Sequence, residues 1–143
     1  MKINEDCIRD IMKLLVDDLL IFVDKKKVEL GKLSIYYISS CLKNYKIEDI
    51  CYSIMLLSQI KYIKGIGLDD INGRMISSIY VNEVTYDGQS FYESIKPDTI
   101  WNKTKTIVGN VGVHTLEFIE SVAHDVIVAS AKEATAIVVN KHV

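Results

Sequence analysis

The residue types best suited to chemistry gather near the C-terminus, where His114, Glu117, Glu120 and His124 follow one another closely. Glu120 and His124 are four residues apart and share one face of a helix, with Glu117 on the same flank. Imidazole and carboxylate are metal-ligand types, yet ligands drawn from one helix make a weak pattern. An i,i+4 hydrogen bond on a solvated edge accounts for the same spacing, so no metal and no cofactor is expected. The three cysteines, Cys7, Cys41 and Cys51, are odd in number and form no C-x-x-C pair. They are expected as buried thiols in a reducing compartment. There is no Gly-x-Ser-x-Gly, and no cysteine lies near a histidine in sequence. Gly65-Ile66-Gly67 and Gly109-Asn110-Val111-Gly112 lack the Gly-Lys-Ser/Thr of a phosphate loop and form no G-x-G-x-x-G between strand and helix. They read as bulge, turn and helix stop. The expectation is a protein with no catalytic residue and no small-molecule substrate, which acts by binding.

A binding surface is offered by the helix read over residues 47–59. With Ile50, Ile54 and Leu57 inward, its outer side carries Glu48, Asp49, Tyr52, Met55, Leu56 and Gln59. No lysine or arginine occurs between Ile47 and Ile60. Lys and Arg supply most phosphate contacts, and those contacts supply most non-specific DNA affinity. Met55, Leu56 and Tyr52 beside a polar fringe resemble a protein-contact patch. DNA stays open as a partner. Tyr52 and Gln59 could reach bases, Arg74 sits in the following turn beside Asp69 and Asp70, and Lys25, Lys26, Lys27, Lys43, Lys46, Lys61 and Lys64 could form a basic rim. The partner-binding residues are therefore expected to be Tyr52, Met55, Leu56, Gln59 and Arg74, and the function expected is that of a DNA-binding regulator, the alternative being a protein-interaction module that inhibits or modulates a host defence or replication protein.

The elements that would position this surface follow from periodicity. Asn4 is a good N-cap, and Ile8, Ile11, Leu15, Leu19 and Phe22 continue at three- and four-residue steps, predicting a helix of about five turns. Val28 and Leu30 flank Glu29 as in a short strand, and Gly31 breaks it. A second helix is predicted over residues 34–42 and a third over 47–59. Two extended segments, 62–66 and 77–84, flank the turn chemistry of residues 67–73 and predict a hairpin with a long tip. Thr85 then caps another helix. Helix, short strand, helix, helix, hairpin, helix is the winged helix-turn-helix plan. The fold class expected is mainly α with a small β-hairpin, followed by C-terminal helices.

Domains are expected at 1–96, the winged helix, and 97–143, a helical extension. Pro97 opens a helix containing Ile100, Trp101 and Ile107, which the glycines near residue 110 end. A last helix over residues 114–139 carries Leu116, Ile119, Ala123, Ile127, Ala134 and Ile137 as its main stripe. Phe118, Val122, Ala129, Ala136 and Val139 lie on another side. A helix apolar on two faces calls for burial twice, so these five are expected to form a homodimer interface.

Composition bounds the rest. The chain has 143 residues, 49% hydrophobic and 25% charged, with one proline and seven glycines, enough to bury a core without staples and too little punctuation for long linkers. The net charge of −2 means that any basic face must be local. The charged start is not a signal peptide. The apolar stretch from Leu14 to Val23 is broken by Asp17 and Asp18 and is too short to span a membrane. No membrane contact and a cytoplasmic location are expected.

The opening Met1-Lys2-Ile3-Asn4-Glu5-Asp6-Cys7-Ile8-Arg9-Asp10-Ile11, the later Val84-Thr85-Tyr86-Asp87-Gly88-Gln89-Ser90-Phe91 and Trp101-Asn102-Lys103-Thr104-Lys105 resemble a family of uncharacterised phage and prophage proteins, domain of unknown function 2513. The resemblance covers nearly the whole chain. It implies a mobile-element gene in a bacterium or its virus and a winged-helix-like fold. It implies no activity, cofactor or functional residue.

Overall fold

The computed structural model describes residues 1–141, with side chains through residue 136. It is mainly helical, with six α-helices and two small antiparallel sheets among the described residues. The chain divides into two compact units, Met1–Tyr92 and Glu93–Val143, and no described helix is long and apolar enough to cross a membrane.

In the first unit, α1 (Glu5–Asp18) starts where Asn4 Oδ1 accepts from the Cys7 amide at 3.1 Å, with Glu5 and Asp6 at the positive end of the helix. Cys7, Ile8, Ile11, Met12 and Leu15 form its buried stripe. The helix stops a turn earlier than predicted. From Leu19 the backbone is extended, and Ile21–Asp24 (β1) pairs antiparallel with Lys27–Leu30 (β2). Phe22 is thus a strand residue, not a helix-face residue. The reason is local: Ile21, Phe22 and Val23 are β-branched or aromatic and favour the extended chain. Lys25 and Lys26 take positive φ, 46° and 73°, as a two-residue hairpin turn requires. Every residue of both strands is exposed.

The strand that leads into the second helix is Leu33–Ser34 and not the predicted 28–30 segment, which belongs to the separate hairpin; the later helices and strands follow the predicted order. β3 (Leu33–Ser34) leads into α2 (Ile35–Cys41), with Ser34 Oγ accepting from the Tyr37 amide at 3.0 Å. α3 spans Ile47–Gln59, β4 Ile63–Ile66 and β5 Tyr80–Val84. Residues 76–78 form a 3-10 turn, so β5 begins later than predicted. β5 lies between β3 and β4, antiparallel to both. A bulge at Lys64/Gly65 brings the chains so close that a Cβ on Gly65 would stand 1.8 Å from the Tyr80 carbonyl oxygen. α1 and α2 both pack on α3, burying Ile8, Ile11, Leu15, Ile35, Ile38, Ile50, Ile54 and Leu57. Tyr45 closes the turn before α3 by donating to Asp10 Oδ2 at 2.5 Å.

Thr85 ties three elements. Its amide donates to the Tyr62 carbonyl at 3.0 Å, its hydroxyl donates to the Lys61 carbonyl at 2.7 Å, and Oγ1 accepts from the Gly88 amide at 3.1 Å. That last bond caps α4 (Tyr86–Ile95). Gly88 sits against backbone, since a Cβ there would lie 2.1 Å from the Tyr62 carbonyl oxygen.

The second unit contains α5 (Asp98–Val111) and α6 (Leu116–Lys141), packed on each other. Gly112 ends α5 at φ 81°, the left-handed cap expected of glycine. Thr115 caps α6, its Oγ1 accepting from the Phe118 amide at 3.2 Å. Trp101, Thr104 and Val108 are buried on α5, and Leu116, Ile119, Val122, Ala123 and Val126 on α6. The buried stripe of α6 is rotated from the expected one. Val122 and Val126 belong to it, whereas Ile127 is half-buried and Ala134 exposed. Val122 is therefore corrected from outward interface residue to core residue.

Candidate functional site

The inner side of α3 is sealed: Ile50, Ser53, Ile54 and Leu57 are at most 1% exposed. On its other side Tyr52, Met55 and Leu56 are half-buried and Gln59 is exposed. Tyr52 and Met55, with Glu48 and Cys51 of the same helix, Met1 and Ile71, line an apolar groove of about 260 Å³. Burial pushes the Cys51 thiol above its ordinary pKa, and Glu48 adds to the shift. The groove is thus a place for apolar side chains, with a carboxylate at its edge. Leu56 and Gln59 share the helix but do not line it.

Arg74 does not line this groove, although its amide donates to the carbonyl of Ile71, which does. Its Nη2 donates to Asp70 Oδ2 at 2.8 Å, and its Nε donates to Asp70 Oδ1 at 3.1 Å and to the Asp70 carbonyl at 3.0 Å. This fork engages its charge, holding the Asp70 carboxyl below the usual range and the guanidinium above its own. The cation that the sequence offers to a phosphate is already committed to a carboxylate. Lys43 and Lys46 before α3, and Lys61 and Lys64 after it, are exposed.

Three members of the groove escape the sequence reading: Cys51, expected as a buried thiol, Met1 and Ile71. Met1 and Ile71 are far from α3 in the chain, and Ile71 belongs to a stretch that reads only as turn. Its one signal is an aliphatic residue between Asp70 and Asn72. Beneath the groove's helix lies Cys7, fully buried, with its thiol pushed up to about 11 first by burial and then by the Asp49 and Asp10 charges, against the lowering effect of Ser53. Cys41 is exposed rather than buried.

On α6, Phe118 is half-buried and Ala129 and Ala136 are exposed, while Val139 lies outside the residues whose side chains are described. Ala129 borders an apolar groove of about 470 Å³ with Ile107, Val126 and Ser130. His114, Glu117 and His124 are exposed and Glu120 half-buried. Among the described residues no group of three or more His, Cys, Asp or Glu side chains could hold a metal ion.

Residues 2–114 match the family described as Hypothetical protein (DUF2513). No curated protein and no solved structure matches the chain.

Proposed function

The chain belongs to the DUF2513 family of hypothetical proteins, and we propose that it is a non-enzymatic winged-helix module that binds a partner protein through the outer side of α3. The winged-helix reading is supported by the strand order, β3 beside β5 and β5 beside β4, with α2 and α3 between β3 and β4. The loop joining β4 and β5 is then the wing. The observation that carries the choice of partner is the groove of Tyr52, Met55, Cys51, Met1 and Ile71 with Glu48 at its rim. Such a surface takes an apolar anchor. The Glu48 carboxylate in the groove's lining calls for a basic residue beside that anchor. The resemblance to phage and prophage proteins extends the proposal to a host protein met in the bacterial cytoplasm.

A second reading, DNA-binding regulation, is favoured by the same strand order and by the exposed lysines at both ends of α3. Against it stand the carboxylates on the helix and the committed Arg74.

Pull-down from nuclease-treated bacterial lysate, with wild type beside Met55→Asp/Leu56→Asp, tests the proposal. A protein retained by wild type and lost from the double variant is the expected result. Nanomolar, salt-dependent and sequence-selective duplex binding by the wild type would instead establish DNA as the partner.

A further inference from the structure

The β1–β2 hairpin is amphipathic, and its aliphatic side is exposed among the described residues. Its register sets Ile21 opposite Leu30 and Val23 opposite Val28, so these four share one face, and Phe22, Asp24, Lys27 and Glu29 take the other. Ile21, Val23, Val28 and Leu30 are 71%, 72%, 68% and 48% exposed. Single exposed aliphatics are ordinary, but four contiguous ones on a two-stranded sheet mark a surface that is covered in use. At the hairpin base, Ile21 and Leu30 border a hollow of about 220 Å³ with Leu19 and Val84.

The charges of this arm are segregated. The tip carries Lys25, Lys26 and Lys27, all exposed. The base carries Asp17 and Asp18 in the last turn of α1, which holds no basic residue and adds the negative end of the helix. Lys32, beside the base, has its ammonium 4.5 Å above the Tyr80 ring.

We propose that this hairpin is a self-association arm whose occupant is the same hairpin of a second copy of the chain. Two copies related by a two-fold axis lay their aliphatic faces together with the tips pointing in opposite directions, an isologous contact. Val23 and Val28 of each copy then cover the hollow at the base of the other. Each lysine tip meets the other copy's Asp17, Asp18 and helix end. Four residues of strand span roughly 13 Å, so a single overlap brings both ends into register. Stacking with the tips together would instead oppose lysine to lysine. The charge pattern favours a second copy over nucleic acid: Lys25, Lys26 and Lys27 gather at the tip, Lys32 beside the base lies over the Tyr80 ring, and Asp24 and Glu29 occupy the arm's polar face. This surface is distinct from the α3 groove, and the inference stands without the partner reading given above.

Sedimentation of the full chain over about 1–100 µM tests the proposal. The expected result is a concentration-dependent dimer that Val23→Glu/Val28→Glu weakens by about 100-fold or more, with far-UV circular dichroism unchanged. Lys25→Glu/Lys26→Glu/Lys27→Glu and Asp17→Lys/Asp18→Lys are each expected to be monomeric. Mixed together they are expected to form a heterodimer, because each tip then faces a base of opposite charge. A chain that stays monomeric throughout overturns the proposal. So does a dimer indifferent to the valine variant, or one lost with Ala129→Glu/Ala136→Glu alone. Failure of the two charge variants to associate on mixing overturns it too. Hairpin variants that leave the mass unchanged while abolishing binding to duplex DNA or to anionic vesicles overturn it in favour of those ligands.

Discussion

Replacing Thr85 by valine keeps the shape of the side chain and removes its oxygen. Two hydrogen bonds go with it, the 2.7 Å bond to the Lys61 carbonyl and the 3.1 Å cap on the Gly88 amide. Loss of an N-cap costs about 1 kcal/mol, and a net intramolecular hydrogen bond contributes about 1 kcal/mol. The expected destabilisation is therefore about 2 kcal/mol. For a domain of this size that lowers Tm by roughly 10 °C. Thr85→Ser retains both bonds and should lose less than about 1 kcal/mol. Gly88→Ala is the harsher change at the same junction. Its new Cβ meets backbone, not a flexible side chain, at 2.1 Å, so α4 must move away from Tyr62, at a cost of about 3 kcal/mol or more. Urea unfolding followed by far-UV circular dichroism gives all three values. A Thr85→Val chain within about 0.5 kcal/mol of wild type, or a serine variant as unstable as the valine one, would refute the reasoning.

Met55→Asp/Leu56→Asp should abolish partner capture while leaving the chain folded, since both side chains are half-buried and outside the sealed stripe of α3; circular dichroism and binding measured on one preparation check this. Tyr45 has its ionisation pushed up by burial and by Asp10. Its raised folded pKa gives stability that is complete below the unfolded tyrosine value of about 10 and is lost as pH rises through the folded value. Wild type should accordingly lose stability in alkali, and Tyr45→Phe should flatten that decline in urea titrations run from neutral pH upward. Arg74 and Asp70 are solvent-exposed partners, and Arg74→Ala should leave Tm unchanged. The depressed Asp70 carboxyl keeps the pair intact above the ordinary carboxylate range, and the pair loosens as pH falls through the depressed value. The protection factor of the Arg74 amide, whose N–H donates to the Ile71 carbonyl, should fall in acid once the intrinsic slowing of exchange at lower pH is divided out.

Capping chemistry and apolar spacing made much of the fold legible. Asn4, Thr85 and Gly112 mark helix ends where their side chains or φ angles act, and Ile47–Gln59 coincides with its predicted bounds. The stretch after Asp18 misled for a physical reason. Leu15, Leu19 and Phe22 satisfy a helical period, while Ile21, Phe22 and Val23 equally suit a strand. The turn that decides the matter is made by two lysines in the left-handed region instead of the usual Asn-Gly, so no turn signal is written there. On α6 the alanine-rich sequence leaves the phase of the buried stripe loosely defined, and Val122 and Val126 fall on the side toward which the packed face is turned. The groove was half legible. Periodicity places Tyr52 and Met55 on one side of a helix but says nothing of Met1 or Ile71, which long-range folding carries to them.

The sealed thiol at the start of α1 has a practical consequence. With its ionisation near 11, Cys7 holds about one thiolate in a thousand at pH 8, and none of its surface reaches solvent. An alkylating reagent will therefore consume exposed Cys41 at once and half-buried Cys51 more slowly. Cys7 will react only in those moments when α1 lifts from α3. The third equivalent of label is thus a clock for the breathing of the molecule, readable by mass spectrometry on the wild-type chain without any engineered probe.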